Sequence, residues 1–224
     1  MKQKVKTEAI EHLERDILFG FESKDDLFES ISELFYNEDD FDNDWFKTEI
    51  EKRFSSHLKS SENWKKPTDF ERLVKVFDQL NKEKIVSLHK AGHTRQDSEE
   101  DCREIIEELE AIGIKAKGYC YYHSQDLERA IEDNGMLFIG YDSNEQNDGI
   151  AFEIANRIIE LLKENGFKTE WNGSLDTRIE IKSIVWKKAY DNTDYNYSRV
   201  FSIIEKYHTP TKKVEKKKPF WKFW

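Results

Sequence analysis

The chain has 224 residues, 37% hydrophobic and 37% charged, and a formal net charge of −10. Fifteen Phe, nine Tyr and six Trp add bulky apolar surface to a lean core, so the length supports one large domain or two small ones and excludes wholesale disorder. No apolar run approaches the roughly 20 residues that span a bilayer, and Cys102 and Cys120 form neither a disulfide framework nor a zinc spacing.

Met1 to Glu8 leads into no apolar stretch, so no secretion signal is expected and the expected compartment is the cytoplasm. Residues three and four apart then mark three helical stripes: Ile10, Leu13 and Ile17; Leu27, Phe28, Ile31, Leu34 and Phe35; Phe46, Ile50, Phe54 and His57 or Leu58. Residues 1–66 are therefore predicted to be an all-helical N-terminal region. Ser60 to Pro67 breaks the pattern, and Thr68-Asp69-Phe70-Glu71 has the form of a capping box that opens a new helix. A domain boundary is placed there.

Residues 67–208 alternate helical stripes with short β-branched and aromatic runs. A helix with Phe70, Leu73, Val74, Phe77 and Leu80 inward precedes a strand at 85–89. A helix carrying Cys102, Ile105, Ile106, Leu109 and Ile112 precedes a strand at 118–123. A short helix at 125–132, a strand at 136–141 and a helix with Ala151, Ile154, Ala155, Ile158, Ile159 and Leu162 inward follow. Strands at 167–171 and 178–186 come next, and a last helix presents Tyr197, Val200, Phe201, Ile204 and Tyr207 on one side. The order predicts an α/β (α+β) fold with a mixed five-stranded sheet packed with helices. Residues 209–224 form a basic, aromatic tail too short of apolar partners to fold alone.

The final pair of strands should form an antiparallel hairpin. A two-residue Asn172-Gly173 turn would put Ile179 and Ile181 on the face of Lys168 and Glu170. A longer connection with an odd number of residues is predicted, so that Phe167, Thr169 and Trp171 share a face with both isoleucines.

Gly118-Tyr119-Cys120-Tyr121-Tyr122-His123-Ser124-Gln125-Asp126-Leu127-Glu128-Arg129-Ala130 resembles the signature of a bacterial family known only as a domain of unknown function. Gly92-His93-Thr94-Arg95-Gln96-Asp97 is similar to that family's Gly-Tyr-Thr-x-x-Asp segment, with His93 in place of Tyr. Trp171-Asn172-Gly173 and Arg178 to Ile181 match its closing portion. The resemblance covers about residues 70–186 and implies a domain there without implying an activity.

His123, Gln125 and Asp126 form the densest polar cluster, at a strand-to-helix junction where α/β sites gather. His123 as general base, Asp126 orienting it and Gln125 donating to an oxyanion, with Asp97 and Arg178 nearby, is one reading. The other is that Ser124 and Asp126 cap the helix while His123 makes a structural hydrogen bond. Strand alternation puts Tyr119, Tyr121 and His123 on one face and Cys120 with Tyr122 on the other, which argues against a Cys–His pair. His89 and His93 lie on no common helix face, and Asp39 to Asp44 lacks the glycine a calcium loop needs at its sixth position, where Trp45 stands. That acidic stretch reads instead as a linker whose final Asp caps the next helix. No metal and no cofactor are expected.

Residues 22–44 hold ten acids and one lysine, whereas Thr209 to Trp224 hold six lysines and one acid. So acidic a body makes nucleic acid a poor partner. Lys216, Lys217 and Lys218 with Phe220, Trp221, Phe223 and Trp224 are the candidate binding residues of the tail, for a protein groove or an anionic membrane surface. The expected function is non-catalytic: a cytoplasmic protein-binding or regulatory protein, of inhibitor or immunity-like type. An enzyme built on His123 is the alternative.

Overall fold

The computed structural model describes residues 1–132 and 135–208. Three helices open the chain: α1 (Gln3–Phe19), α2 (Lys24–Leu34) and α3 (Asn43–Ser61). Local chemistry sets their ends. Gly20, left-handed at φ 78°, closes α1, a Ser23–Asp26 capping box opens α2, and Asp42 accepts a hydrogen bond from Trp45 N–H at 2.9 Å to open α3. The cap is thus Asp42 and not the last acid of the run, Asp44, because the helix begins a turn earlier than the apolar stripe implies.

Leu13, Leu27, Ile31, Phe46, Ile50 and Phe54 bury one cluster among these helices, and Tyr190 packs against it from far along the chain. Leu34 departs from its stripe. It is 61% exposed, because the face buried by Leu27 and Ile31 continues through Phe35, one residue further on, which joins the same cluster.

The remainder runs α4 (Asp69–Lys82), β1 (Ile85–Leu88), α5 (Arg95–Ala111), β2 (Gly118–Tyr121), α6 (Ser124–Glu132), β3 (Leu137–Ser143), α7 (Asp148–Glu164), β4 (Lys168–Glu170), β5 (Ile179–Lys182) and α8 (Tyr197–His208). The Thr68–Glu71 capping box opens α4 as its sequence predicts. The five strands form one mixed sheet in the order β1-β2-β3-β5-β4. The β1–β2 pair is parallel and the others are antiparallel.

Side-chain parity divides the core between the two faces. Cys120, Leu137, Ile139, Ile179 and Ile181 join α4, α6 and α7 on one side. Val86, Leu88, Tyr119 and Tyr121 join α5 and α8 on the other. With about 25 cal/mol gained per Å² of apolar surface removed from water, these two layers are the main source of stability. Ile112 lies outside them, 54% exposed, because α5 has already ended at Ala111.

The closing hairpin has the predicted parity. Thr169 pairs with Ile181 and Glu170 with Glu180, which leaves an odd number of residues between partners and puts the isoleucines on the core face. The strands are shorter than their apolar runs suggest. Trp171 Nε1 donates to Ser174 O at 3.1 Å and Thr177 Oγ1 donates to Asn172 Oδ1 at 2.6 Å, so side chains replace ladder bonds beyond Glu170. At the far end Ser183 takes φ 56°, which stops β5 before Trp186.

The helical region meets the sheet body through aromatic and backbone contacts. Phe21 packs edge-on against Phe70 at 5.7 Å, Trp186 Nε1 donates to Phe19 O at 3.3 Å, and His57 Nε2 lies 3.1 Å from Lys188 O.

Candidate functional site

The parallel strands β1 and β2 end side by side, and each feeds a helix. Thr94 caps α5 with Asp97 as its reciprocal partner, and the connecting loop passes so close that a Cβ on Gly92 would lie 2.5 Å from Asp97 Cβ. Gly92 also takes φ +51°, so glycine is required there twice over. Ser124 N–H and Oγ both donate to Gly92 O, at 3.3 and 2.8 Å, which ties the two helix starts together.

His123 stands at the head of α6. Strand β2 stops at Tyr121, so His123 does not continue the face of Tyr119 and Tyr121. Its Nδ1 accepts from Asp126 N–H at 3.1 Å, while Asp126 Oδ2 accepts from His123 N–H at 3.4 Å. This is a capping box with imidazole in the Ser/Thr position; the predicted cap, Ser124, is the first helical residue instead. The backbone donor at Nδ1 leaves the neutral ring's proton on Nε2, which lies 3.1 Å from Asp126 Oδ2.

Arg178, just before β5, completes the cluster. Its Nη1 donates to Asp126 Oδ1 at 2.9 Å and Oδ2 at 2.8 Å and lies 3.2 Å from His123 Nε2. Arg129, one turn along α6, adds a 3.4 Å contact to Oδ1. Phe138 of β3 lies under the Arg178 guanidinium, 5.0 Å from ring centre to Cζ.

Asp126 is fully buried and His123 is 4% exposed. Burial, aided by Arg178 and Arg129, pushes the imidazole down to about 4. Burial raises the Asp126 carboxyl, against the pull of Arg178. The ring is therefore neutral at pH 7, and its single lone pair is already committed to a backbone N–H. A general base needs a free lone pair within reach of a substrate proton, and His123 offers none. What the cluster does is clamp the head of α6 to the start of β5.

Of the five predicted residues, the structure brings together His123, Asp126 and Arg178. Gln125 turns away, its Nε2 3.5 Å from His93 Nε2, and Asp97 caps α5 by accepting from Thr94 N–H at 2.9 Å. Arg129 was missed, although its i,i+3 spacing from Asp126 is a readable helical signal. The tail residues Lys216, Lys217, Lys218, Phe220, Trp221, Phe223 and Trp224 lie outside the described residues.

The other reactive groups are buried. His89 points away from this corner, fully buried against Phe77 with ring centres 4.4 Å apart, and burial drives its pKa well down. Cys120 and Cys102 are both wholly buried. Burial raises Cys102 far above its usual value and pushes Cys120 up to about 12. Neither thiol is expected to react with Ellman's reagent in the folded protein, and both should react in denaturant. A rapid native-state titre would contradict this. Among the described residues no group of three or more His, Cys, Asp or Glu side chains is placed to hold a metal, and no helix is long and apolar enough to cross a membrane.

An α+β protein with a mixed five-stranded sheet, a helical N-terminal region and a buried Arg–Asp–His corner is the class these features define. The chain belongs to the family described as domain of unknown function DUF6891, whose profile matches residues 2–190. The match takes in the N-terminal helices as well as the signature around His123, so the family extends further than the resemblance over residues 70–186 implies. No curated protein and no solved structure matches the chain.

Proposed function

We propose that the protein works by binding a basic protein partner and not by catalysis. The observation that carries this reading is the exposed apolar pair at the end of α2, Leu34 at 61% and Tyr36 at 85%, set among the exposed acids Glu29, Glu33 and Asp39. An exposed aromatic residue beside acidic side chains suits recognition of a basic protein surface. The occupied imidazole at 123 and the buried thiols remove the best catalytic candidates.

A second acidic face supports the same reading. Helix α5 carries eight acids and two arginines, and among the described residues no Lys or Arg pairs with Glu100, Glu104 or Glu107. Two free, buried cysteines suit a cytoplasmic protein of inhibitor or immunity-like type. The Lys- and Trp-rich tail would add a second contact, to the same partner or to an anionic membrane.

The test is affinity purification from the source cells with wild type and a Leu34→Ser/Tyr36→Ser variant. Both positions are on the surface, so stability should stay within about 0.5 kcal/mol of wild type. A basic partner should be captured by wild type and weakened about 30-fold or more by the variant. Equal capture by both proteins, or substrate turnover that depends on His123, would overturn the proposal.

A further inference from the structure

The segment between β5 and α8 carries an amine that neither the clamp nor the acidic surface uses. Lys188 is 3% exposed, and its ammonium faces three aromatic rings: Phe21 at 4.8 Å, Phe70 at 4.9 Å and Tyr195 at 4.7 Å. Its polar partners are few and distant. Nζ donates to Ala189 O at 3.3 Å and to Asp191 Oδ1 at 3.5 Å.

Two effects oppose each other at this nitrogen. Aromatic faces and Asp191 favour the ammonium form. Loss of water disfavours it more strongly, and burial pulls Lys188 down to about 8. Among the other charged and titratable groups on the surrounding elements, Asp191 is also bound by Tyr195 OH at 2.5 Å, Arg199 lies over the Tyr195 ring, and His89 packs edge-on against that ring at 5.8 Å. A fraction of the amine is therefore neutral and nucleophilic at physiological pH, unlike an ordinary surface lysine.

Lys188 also lines a cavity of about 190 Å³ with the aromatic residues Trp64, Phe70, Tyr190 and Tyr195 and the charged residues Lys66, Glu71, Lys187 and Asp191. A cavity of ~150 Å³ takes a benzene ring, so this one has room for a single-ring molecule. An amine desolvated against aromatic rings, as Nζ is here, is activated toward carbonyl carbon.

We propose that Lys188 is a covalent binding site for small aromatic aldehydes, which it captures as a reversible imine. The amine lone pair attacks the carbonyl carbon, the C=O π electrons move to oxygen, and proton transfer gives a carbinolamine. Expulsion of that oxygen as water, carrying both former amine hydrogens, leaves C=N between the aldehyde carbon and Nζ. No oxidant or reductant is consumed.

The test uses benzaldehyde as probe on the full-length native protein, with cyanoborohydride to trap the imine and peptide mass mapping to locate it. Lys188 should be benzylated about tenfold faster than its neighbour Lys187, and its rate should level off above pH 8 while that of Lys187 continues to climb. In denaturant the two lysines should react equally. Lys188→Arg should abolish the fast adduct and Lys187→Arg should leave it. If the arginine variant fails to fold, the native-against-denatured comparison in wild type still decides. Equal rates in the native protein, or a slower rate at Lys188, would overturn the proposal.

Discussion

Asp126→Ala should destabilise the protein by about 3 to 5 kcal/mol, read as a lower denaturant midpoint at unchanged slope. The magnitude follows from removing one partner of a buried ion pair, which leaves the other uncompensated. Asp126 serves Arg178, Arg129 and the His123 backbone N–H at once, so all three lose their acceptor together. Arg178 keeps 28% of its side-chain exposure and regains some hydration, which places the loss near the lower end. Asp126→Asn should fall between, since an amide oxygen accepts from the cap but does not offset the guanidinium. A loss below about 1 kcal/mol for the alanine variant would mean the clamp is not holding the corner.

Acidification should destabilise the fold well above the usual carboxylate range. His123 is held at about 4 in the folded chain and titrates near 6.5 when unfolded. Between those values the unfolded chain binds more protons, so stability falls as pH falls from 6.5 toward 4. His123 alone should remove about 2 kcal/mol between pH 7 and pH 5. The buried His89 acts in the same direction. The raised Asp126 carboxyl binds its proton more readily in the folded state and returns part of the loss toward the bottom of the window.

The control is His123→Asn, which keeps a side-chain acceptor for the Asp126 N–H and is itself a favoured cap. Its urea midpoint should change less between pH 7 and pH 5 than that of wild type. Identical pH dependence in both would assign the acid sensitivity elsewhere.

Much of this architecture is readable from residue pattern because local rules and burial agree. Ile179 and Ile181 can face the core only if the hairpin connection has odd parity, and Thr68 with Glu71 can open α4 without help from distant residues. The polar corner is only partly legible. His123 and Asp126 stand close in the chain, but an imidazole is an uncommon cap and Ser124 offers itself next door. Arg178 joins them only through the order of β3 and β5. Lys188 was not legible at all: in a polar, Tyr-rich stretch it reads as solvated, and the rings that enclose it come from α4 and from segments before α2 and before α8. Leu34 and Ile112 show the converse fault: both fit an apolar stripe, yet Phe35 takes the inward place at the end of α2 and Ile112 lies past the end of α5.

The contact of Tyr190 with the first helical cluster has a consequence for how the chain matures on the ribosome. Helices α1 to α3 are translated before the sheet, yet a residue that packs on them is translated after it, as is the carbonyl that His57 meets. Local helical contacts form quickly, whereas joining such distant segments requires closing a very large loop. The nascent helices therefore wait, partly uncovered, until the segment around Tyr190 has been made, and a chaperone that shields apolar patches during elongation would find its substrate there.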